Sequence, residues 1–280
     1  MTAKLKLAFY HLRLALAQVF SRNRHLYWFR EKANFGDLIN VYLFENLAGA
    51  TPTWVYPKYW PLKHYLMIGS VIESSTFSTE IWGAGFISAD SILKQKPRKV
   101  HAVRGPCSRK KLLEAGIPCP EIYGDPALLL PKFHDPEVHK THKVGIIPHF
   151  VDKDSDCLKA YKHMDGVRLI DVENPNPLQF IEHVKSCEHI LSSSLHGLIV
   201  ADAYNVPSVW IKMSDDILGG AFKFIDYFKS VGREDEAPIL VSDISDVFEF
   251  ARNRKSYCLD IDLQKLQDAC PFKLEPKRNM

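Results

Sequence analysis

Residues 189–210 read His-Ile-Leu-Ser-Ser-Ser-Leu-His-Gly-Leu-Ile-Val-Ala-Asp-Ala-Tyr-Asn-Val-Pro-Ser-Val-Trp. An apolar run ends at Leu191, three serines follow, a helical pattern continues to Tyr204, and a second β-branched and aromatic run begins at Pro207. Strand, tight turn, helix and strand in that order form the repeating unit of a parallel sheet. The turn puts Ser193, Ser194, Leu195 and Gly197 at a helix start, where unpaired backbone N–H groups attract anions. His196 stands among them, and imidazole is the side chain whose ordinary pKa lies nearest neutrality, suited to binding or protonating an anionic substrate. The same residue types equally suit a serine cap beside a buried, hydrogen-bonded histidine. The segment by itself leaves both uses open.

Strand-sized runs recur at 26–29, 65–68, 81–82, 100–103, 144–147, 167–170, 189–191 and 207–211. Helical patterns lie between or after them at 37–47, 108–115, 154–164, 178–187, 195–204 and 222–228, with two more at 244–253 and 263–270. This alternation predicts an α/β fold with parallel sheets. Ser108 is the expected cap of its helix, and Gly116 with Pro118 its stop. Residues 125–143 are rich in proline and charge, so a boundary is expected there, between an N-terminal unit of residues 1–135 and a C-terminal unit of residues 136–280. The expected architecture is two Rossmann-like, doubly wound domains facing across a cleft, with ligands beyond the carboxyl ends of the strands.

A chain of 280 residues, 46% hydrophobic and 25% charged, has an ordinary globular composition. Its net charge of +3 is too small to imply nucleic-acid binding. The six cysteines lack paired metal-ligand spacing and are too few for a disulfide scaffold; they read as reduced, cytoplasmic thiols, with no metal site. No apolar stretch is long enough to span a bilayer. Residues 4–24 nevertheless carry Leu5, Phe9, Leu12, Leu16 and Val19 at helical spacing, with Lys4, Lys6, Arg13, Arg22 and Arg24 interspersed. Such a helix either lies on an anionic membrane surface or packs on the protein's own core.

Four further segments follow expected strands. In Asn34-Phe35-Gly36-Asp37, Asn34 and Asp37 suit either a helix cap or a ligand contact. In Trp82-Gly83-Ala84-Gly85-Phe86, Gly83 and Gly85 permit close backbone approach, or simply form a loop. Arg104, between a strand and a helix, is placed to grip a carboxylate or phosphate with its guanidinium, or to form a salt bridge. Lys223, Asp226 and Tyr227, in Phe222-Lys223-Phe224-Ile225-Asp226-Tyr227, either line an opposite wall or belong to a packed aromatic helix.

Taken in order, Asn-Phe-Gly-Asp, Trp-Gly-Ala-Gly-Phe, Val103-Arg104-Gly105-Pro106, Tyr123-Gly124-Asp125-Pro126 and Ser-Ser-Leu-His-Gly-Leu resemble the polysaccharide pyruvyl transferase family over about residues 26–230. The resemblance implies a two-domain, glycosyltransferase B-like fold. It also implies transfer of a pyruvyl group from phosphoenolpyruvate onto two hydroxyls of a sugar as a cyclic ketal, with no cofactor beyond that co-substrate. It makes His196 the expected proton donor or shuttle, with Arg104 holding the donor anion, and a saccharide acceptor, free or lipid-linked, as the partner. Many members carry arginine directly before Leu-His-Gly, where this chain has Ser194; Arg104, Lys223 or Lys212 is then the substitute cation. The competing expectations are a sugar-nucleotide glycosyltransferase of the same architecture and a non-catalytic carbohydrate-binding relative.

Overall fold

Among the described residues ten short strands form two five-stranded sheets in which every pairing is parallel. The computed structural model describes residues 25–32, 34–233, 236–241, 247–253 and 257–272, so the basic helix expected within residues 4–24 lies outside the described residues. The first sheet contains β1 (His25–Tyr27), β2 (Thr53–Trp54), β3 (His64–Leu66), β4 (Thr79–Trp82) and β5 (Lys99–Ala102), in the order β2-β1-β3-β4-β5. The second contains β6 (His142–Ile147), β7 (Val167–Leu169), β8 (Cys187–Ser192), β9 (Ser208–Lys212) and β10 (Ile239–Leu240), in the order β7-β6-β8-β9-β10. Counted within each sheet, both orders are 2-1-3-4-5, a doubly wound arrangement. β1, β3 and β4 are buried along their whole length, as strands covered on both faces must be.

Eight α-helices accompany the sheets among the described residues: α1 (Phe35–Ala48), α2 (Pro106–Glu114), α3 (Asp156–Tyr161), α4 (Pro177–Lys185), α5 (Leu195–Ala203), α6 (Phe222–Ser230), α7 (Val247–Arg252) and α8 (Leu263–Asp268). Asn34 caps α1, its side chain accepting from the Asp37 N–H, and Gly49 ends it in the left-handed region at φ 65°. α2 departs from expectation. Gly105 is its N-cap and Pro106 its first residue, while Ser108 is fully buried and turned towards Asp226. Proline at the first helical position needs no N–H partner, so the helix starts two residues early without a side-chain cap.

The two halves share one apolar core. Phe35 of α1 stacks on Phe180 of α4 with ring centroids 4.4 Å apart, and Leu43 and Phe44 belong to the same buried cluster as Val184 and Leu198. The expected linker begins as part of that core: residues 126–132 form a 3-10 run, and Ala127 to Leu130 are buried. Residues 263–272, placed by chain order with the second half, pack on the first sheet. The Trp82 indole Nε1 donates to the Leu266 carbonyl at 2.9 Å, and Phe272 meets the edges of Phe44 and Tyr65 at 4.6 and 4.7 Å. An aromatic plug of this kind has no local signature, because its counterparts are almost 200 residues away (Trp82 and Leu266 are 184 apart).

Candidate active site

In each sheet the chain leaves neighbouring strands in opposite directions at one point, between β1 and β3 in the first sheet and between β6 and β8 in the second. Such switch points leave a crevice beyond the carboxyl ends of the strands. Here the two crevices face each other and enclose a cavity of about 220 Å³. The first sheet supplies Phe29, Asn34 and Asp37 after β1, and Gly69 and Ser70 after β3; the second supplies His149 and Phe150 after β6, and Ser194, Leu195 and His196 after β8. Lys223 enters from α6.

His196 is the second residue of α5. Its ring stands on Gly36, where an added Cβ would fall 2.1 Å from both Cε1 and Nδ1 of the imidazole. The starts of α1 and α5 therefore meet at this ring, and both helix dipoles turn their positive ends to the cavity. Ser194, the N-cap of α5, makes no side-chain hydrogen bond to the helix, which leaves its first N–H groups without that partner. The buried Nε2 of His196 has no hydrogen bond and lies 3.8 Å from Oδ2 of Asp125, itself buried and unpartnered. The other Asp125 oxygen accepts from the Ala127 N–H at 2.9 Å, fixing the carboxyl at the start of the 3-10 run. Burial first, then the cations Arg104 and Lys223, push the His196 pKa down to about 3, and burial lifts Asp125 to about 7. Between about pH 3 and 7 the two face each other as neutral groups, with the carboxyl protonated 3.8 Å from Nε2, and not as an ion pair.

Lys223 is 8% exposed and makes no hydrogen bond or ion pair among the described residues. Burial, and secondarily Arg104, lowers its pKa to about 8. Burial also drives His149 down to about 3 and Asp37 up to about 7, the latter resisted by the Asn34 amide. An ammonium desolvated without a counter-charge is costly, and a bound anion is what relieves it.

Asn34, Asp37, Ser194, Leu195, His196 and Lys223 thus converge on one cavity, while the other expected site residues stand behind it. Arg104 is fully buried and committed: Nη1 donates to Ser70 Oγ at 2.7 Å, Nη2 to the Phe86 carbonyl at 2.7 Å, and Nε to Asp226 Oδ2 at 3.1 Å. It does not line the cavity; it holds Ser70 in the wall and anchors α6, three residues beyond Lys223. Gly85 gives it room, since a Cβ there would lie 2.2 Å from Cζ. Gly83, at φ 89°, serves close packing of Pro126, and Gly197 that of the Ser192 hydroxyl. Ser193 is buried, donating to Asp152 Oδ2 at 2.9 Å and accepting from the His149 N–H at 2.8 Å, so it shapes the loop after β6. Lys212 pairs with Asp215 and does not line the cavity.

Sequence reasoning missed Asp125, His149 and Ser70, whereas Asp226 and Tyr227, expected in the wall, stand behind it, Asp226 accepting from Arg104 and Ser108 and Tyr227 donating to Asp202. Only Asp125 had a signal, the Tyr-Gly-Asp-Pro turn. A larger cavity of about 510 Å³ opens beside His189, Asp202 and Tyr257, but Asp202 there is already held by Arg233 at 2.7 Å and by the Tyr227 hydroxyl at 2.8 Å. Among the described residues no cluster of His, Cys, Asp and Glu is placed to hold a metal ion, and no helix is long and apolar enough to cross a membrane.

A family model described as polysaccharide pyruvyl transferase matches residues 56–215. Protein L143 of Acanthamoeba polyphaga mimivirus is 31% identical over 223 residues, 75% of each chain. The succinoglycan biosynthesis protein ExoV of Rhizobium meliloti (strain 1021) is 26% identical over 216 residues, 74% of this chain and 64% of that one. The family match includes Arg104, Asp125, His149 and His196; Asn34, Asp37 and Lys223 lie outside it.

Proposed function

The chain belongs to the polysaccharide pyruvyl transferase family, and on that premise we propose that it transfers the pyruvyl skeleton of phosphoenolpyruvate to two hydroxyls of a sugar in a polysaccharide or its lipid-linked precursor. The observation that carries this reading is Lys223: a largely buried lysine whose ammonium has no counter-charge among the described residues, in a small cavity with two helix N-termini and the His196–Asp125 pair. The donor's phosphate and carboxylate suit that cation and those N–H groups. No cofactor enters the scheme.

The donor anion offsets the field of Lys223 and Arg104, which adds to burial in keeping His196 neutral, and the proton of Asp125 moves to the imidazole. His196 delivers it to the methylene carbon, and the adjacent carbon becomes an oxocarbenium ion. A sugar hydroxyl attacks that carbon and returns a proton to the pair. The C–O bond to phosphate then breaks, and a second hydroxyl closes the ketal, its proton leaving with inorganic phosphate. Arg104 acts in this scheme as a positioning residue, through Ser70 and α6.

The matched orders of the two sheets support a glycosyltransferase B-like architecture divided near residue 135, with residues 263–272 returning to the first unit. A lipid-linked acceptor would place the enzyme at the cytoplasmic face of a membrane.

The test is phosphate release from phosphoenolpyruvate with and without a pool of saccharide acceptors, using His196→Ala as control. Acceptor-dependent release that falls about 10²–10⁴-fold in the variant is the expected result. A near-wild-type variant rate removes His196 from the mechanism, and nucleotide-sugar turnover without phosphoenolpyruvate turnover makes the protein a glycosyltransferase instead.

A further inference from the structure

The edge of the first sheet, at the carboxyl ends of β1 and β2, carries an aromatic surface that the chemistry above does not use. β2 ends at Trp54 on the same edge from which β1 delivers Phe29, since the strands are parallel with Leu26 paired to Trp54. The chain leaving β2 presents Tyr56 and Tyr59, whose rings stack at 5.4 Å and are 44% and 62% exposed. Tyr56 continues inward to Trp54 at 6.2 Å, and the Arg30 guanidinium lies over Trp54 and Trp28 at 5.1 and 5.7 Å. Phe29, between Trp28 and Arg30, is 36% exposed and lines the cavity. Arg30, next to Phe29 in the chain, thus links the aromatic edge of the first sheet to the segment that lines the cavity.

Tyrosine presents an apolar ring and a polar hydroxyl together, which suits a partner with both kinds of face. A pyranose has that character: its axial C–H faces stack on rings, while its hydroxyls reach phenol and guanidinium groups. We propose that Tyr56, Tyr59, Trp54 and Arg30 form an acceptor subsite that holds the sugars of a multi-unit saccharide beyond the one entering the cavity. The assignment rests on the pyruvyl-transfer reading for which sugar reacts, whereas binding to the rings stands on its own. Preference for a long acceptor follows, because each added sugar gains a stacking partner.

The test is titration of gluco- and galacto-oligosaccharides of graded length into the full chain without phosphoenolpyruvate, followed by tryptophan fluorescence, extended to a glycan array. The wild-type protein should bind longer saccharides more tightly. The double variant Tyr56→Ala, Tyr59→Ala should lose about tenfold for the longest and nothing for monosaccharides, and Tyr56→Phe, Tyr59→Phe should retain binding. The thermal shift given by phosphoenolpyruvate should be the same in all three proteins, which also reports that they are folded. Equal binding by wild type and the alanine variant, absence of length dependence across the array, or loss of anionic-vesicle binding in place of saccharide binding overturns the proposal. Length-dependent binding without any phosphate release would instead sink the pyruvyl-transfer reading and leave the subsite standing.

Discussion

Lys223→Met removes the buried ammonium and leaves an unbranched side chain to lie against Phe224, whose ring is 5.5 Å from Nζ. The lysine pKa is 10.5 in the unfolded chain and about 8 in the folded one. That difference, at ~1.36 kcal/mol per unit, makes the charge cost up to about 3 kcal/mol of folding free energy. Because the folded pKa is the lower one, the cost is fully present below pH 8, fades as pH rises towards 10.5, and is absent above it. The methionine variant should therefore be more stable than wild type near neutral pH, by an amount approaching this figure, and the gap should close in alkali. Donor binding should move the opposite way: losing a charge-assisted hydrogen bond, worth ~1.5–3 kcal/mol, weakens phosphoenolpyruvate about 10–150-fold. Urea unfolding of both proteins at neutral and alkaline pH, with and without phosphoenolpyruvate, measures both effects. A variant less stable than wild type at neutral pH, or one stabilised equally by the donor, would refute the assignment of Lys223 as the anion's counter-charge.

Three further outcomes are expected. Gly36→Ala places a methyl 2.1 Å from the His196 ring, so kcat should fall by roughly 10²-fold with the fold retained, as urea titration and single-turnover rates will report; an unchanged rate means the ring position is not critical. Asp125→Asn removes the carboxyl whose pKa is raised to about 7, and the break near that pH in the kcat/KM profile should vanish while donor affinity, measured by titration, stays the same; an identical profile in both proteins counts against the shared proton. Arg104→Ala leaves Asp226 buried without its cation and should cost ~3–5 kcal/mol in urea unfolding, with loss of donor binding following the displacement of α6; a fully stable variant that only binds the donor more weakly would return Arg104 to the role of direct ligand.

What could be read from the chain was whatever repeats at short range. Alternating apolar runs and helical patterns disclosed eight of the ten strands, and with them the parallel α/β class and the carboxyl ends where the cavity lies. The missing strands, β2 and β10, are two-residue edges too short to show any periodicity. Glycines were visible but not their uses, since Gly36, Gly83, Gly85 and Gly197 each make room for a side chain from elsewhere in the chain. His196 and Lys223 were visible as residue types, yet nothing within either segment says that one imidazole nitrogen meets Asp125 or that the ammonium has no counter-charge. The commitments of Arg104 could not be read, because its partners, Ser70, Phe86 and Asp226, come from three separate segments. Periodicity, turn chemistry and motif order act over a few residues, and they alone determined the fold class, the family and the candidate histidine. Which charges stay unpaired, which donors are already committed and which two crevices face each other depend on burial across the whole chain, and those were decided only when the two sheets closed on their common core.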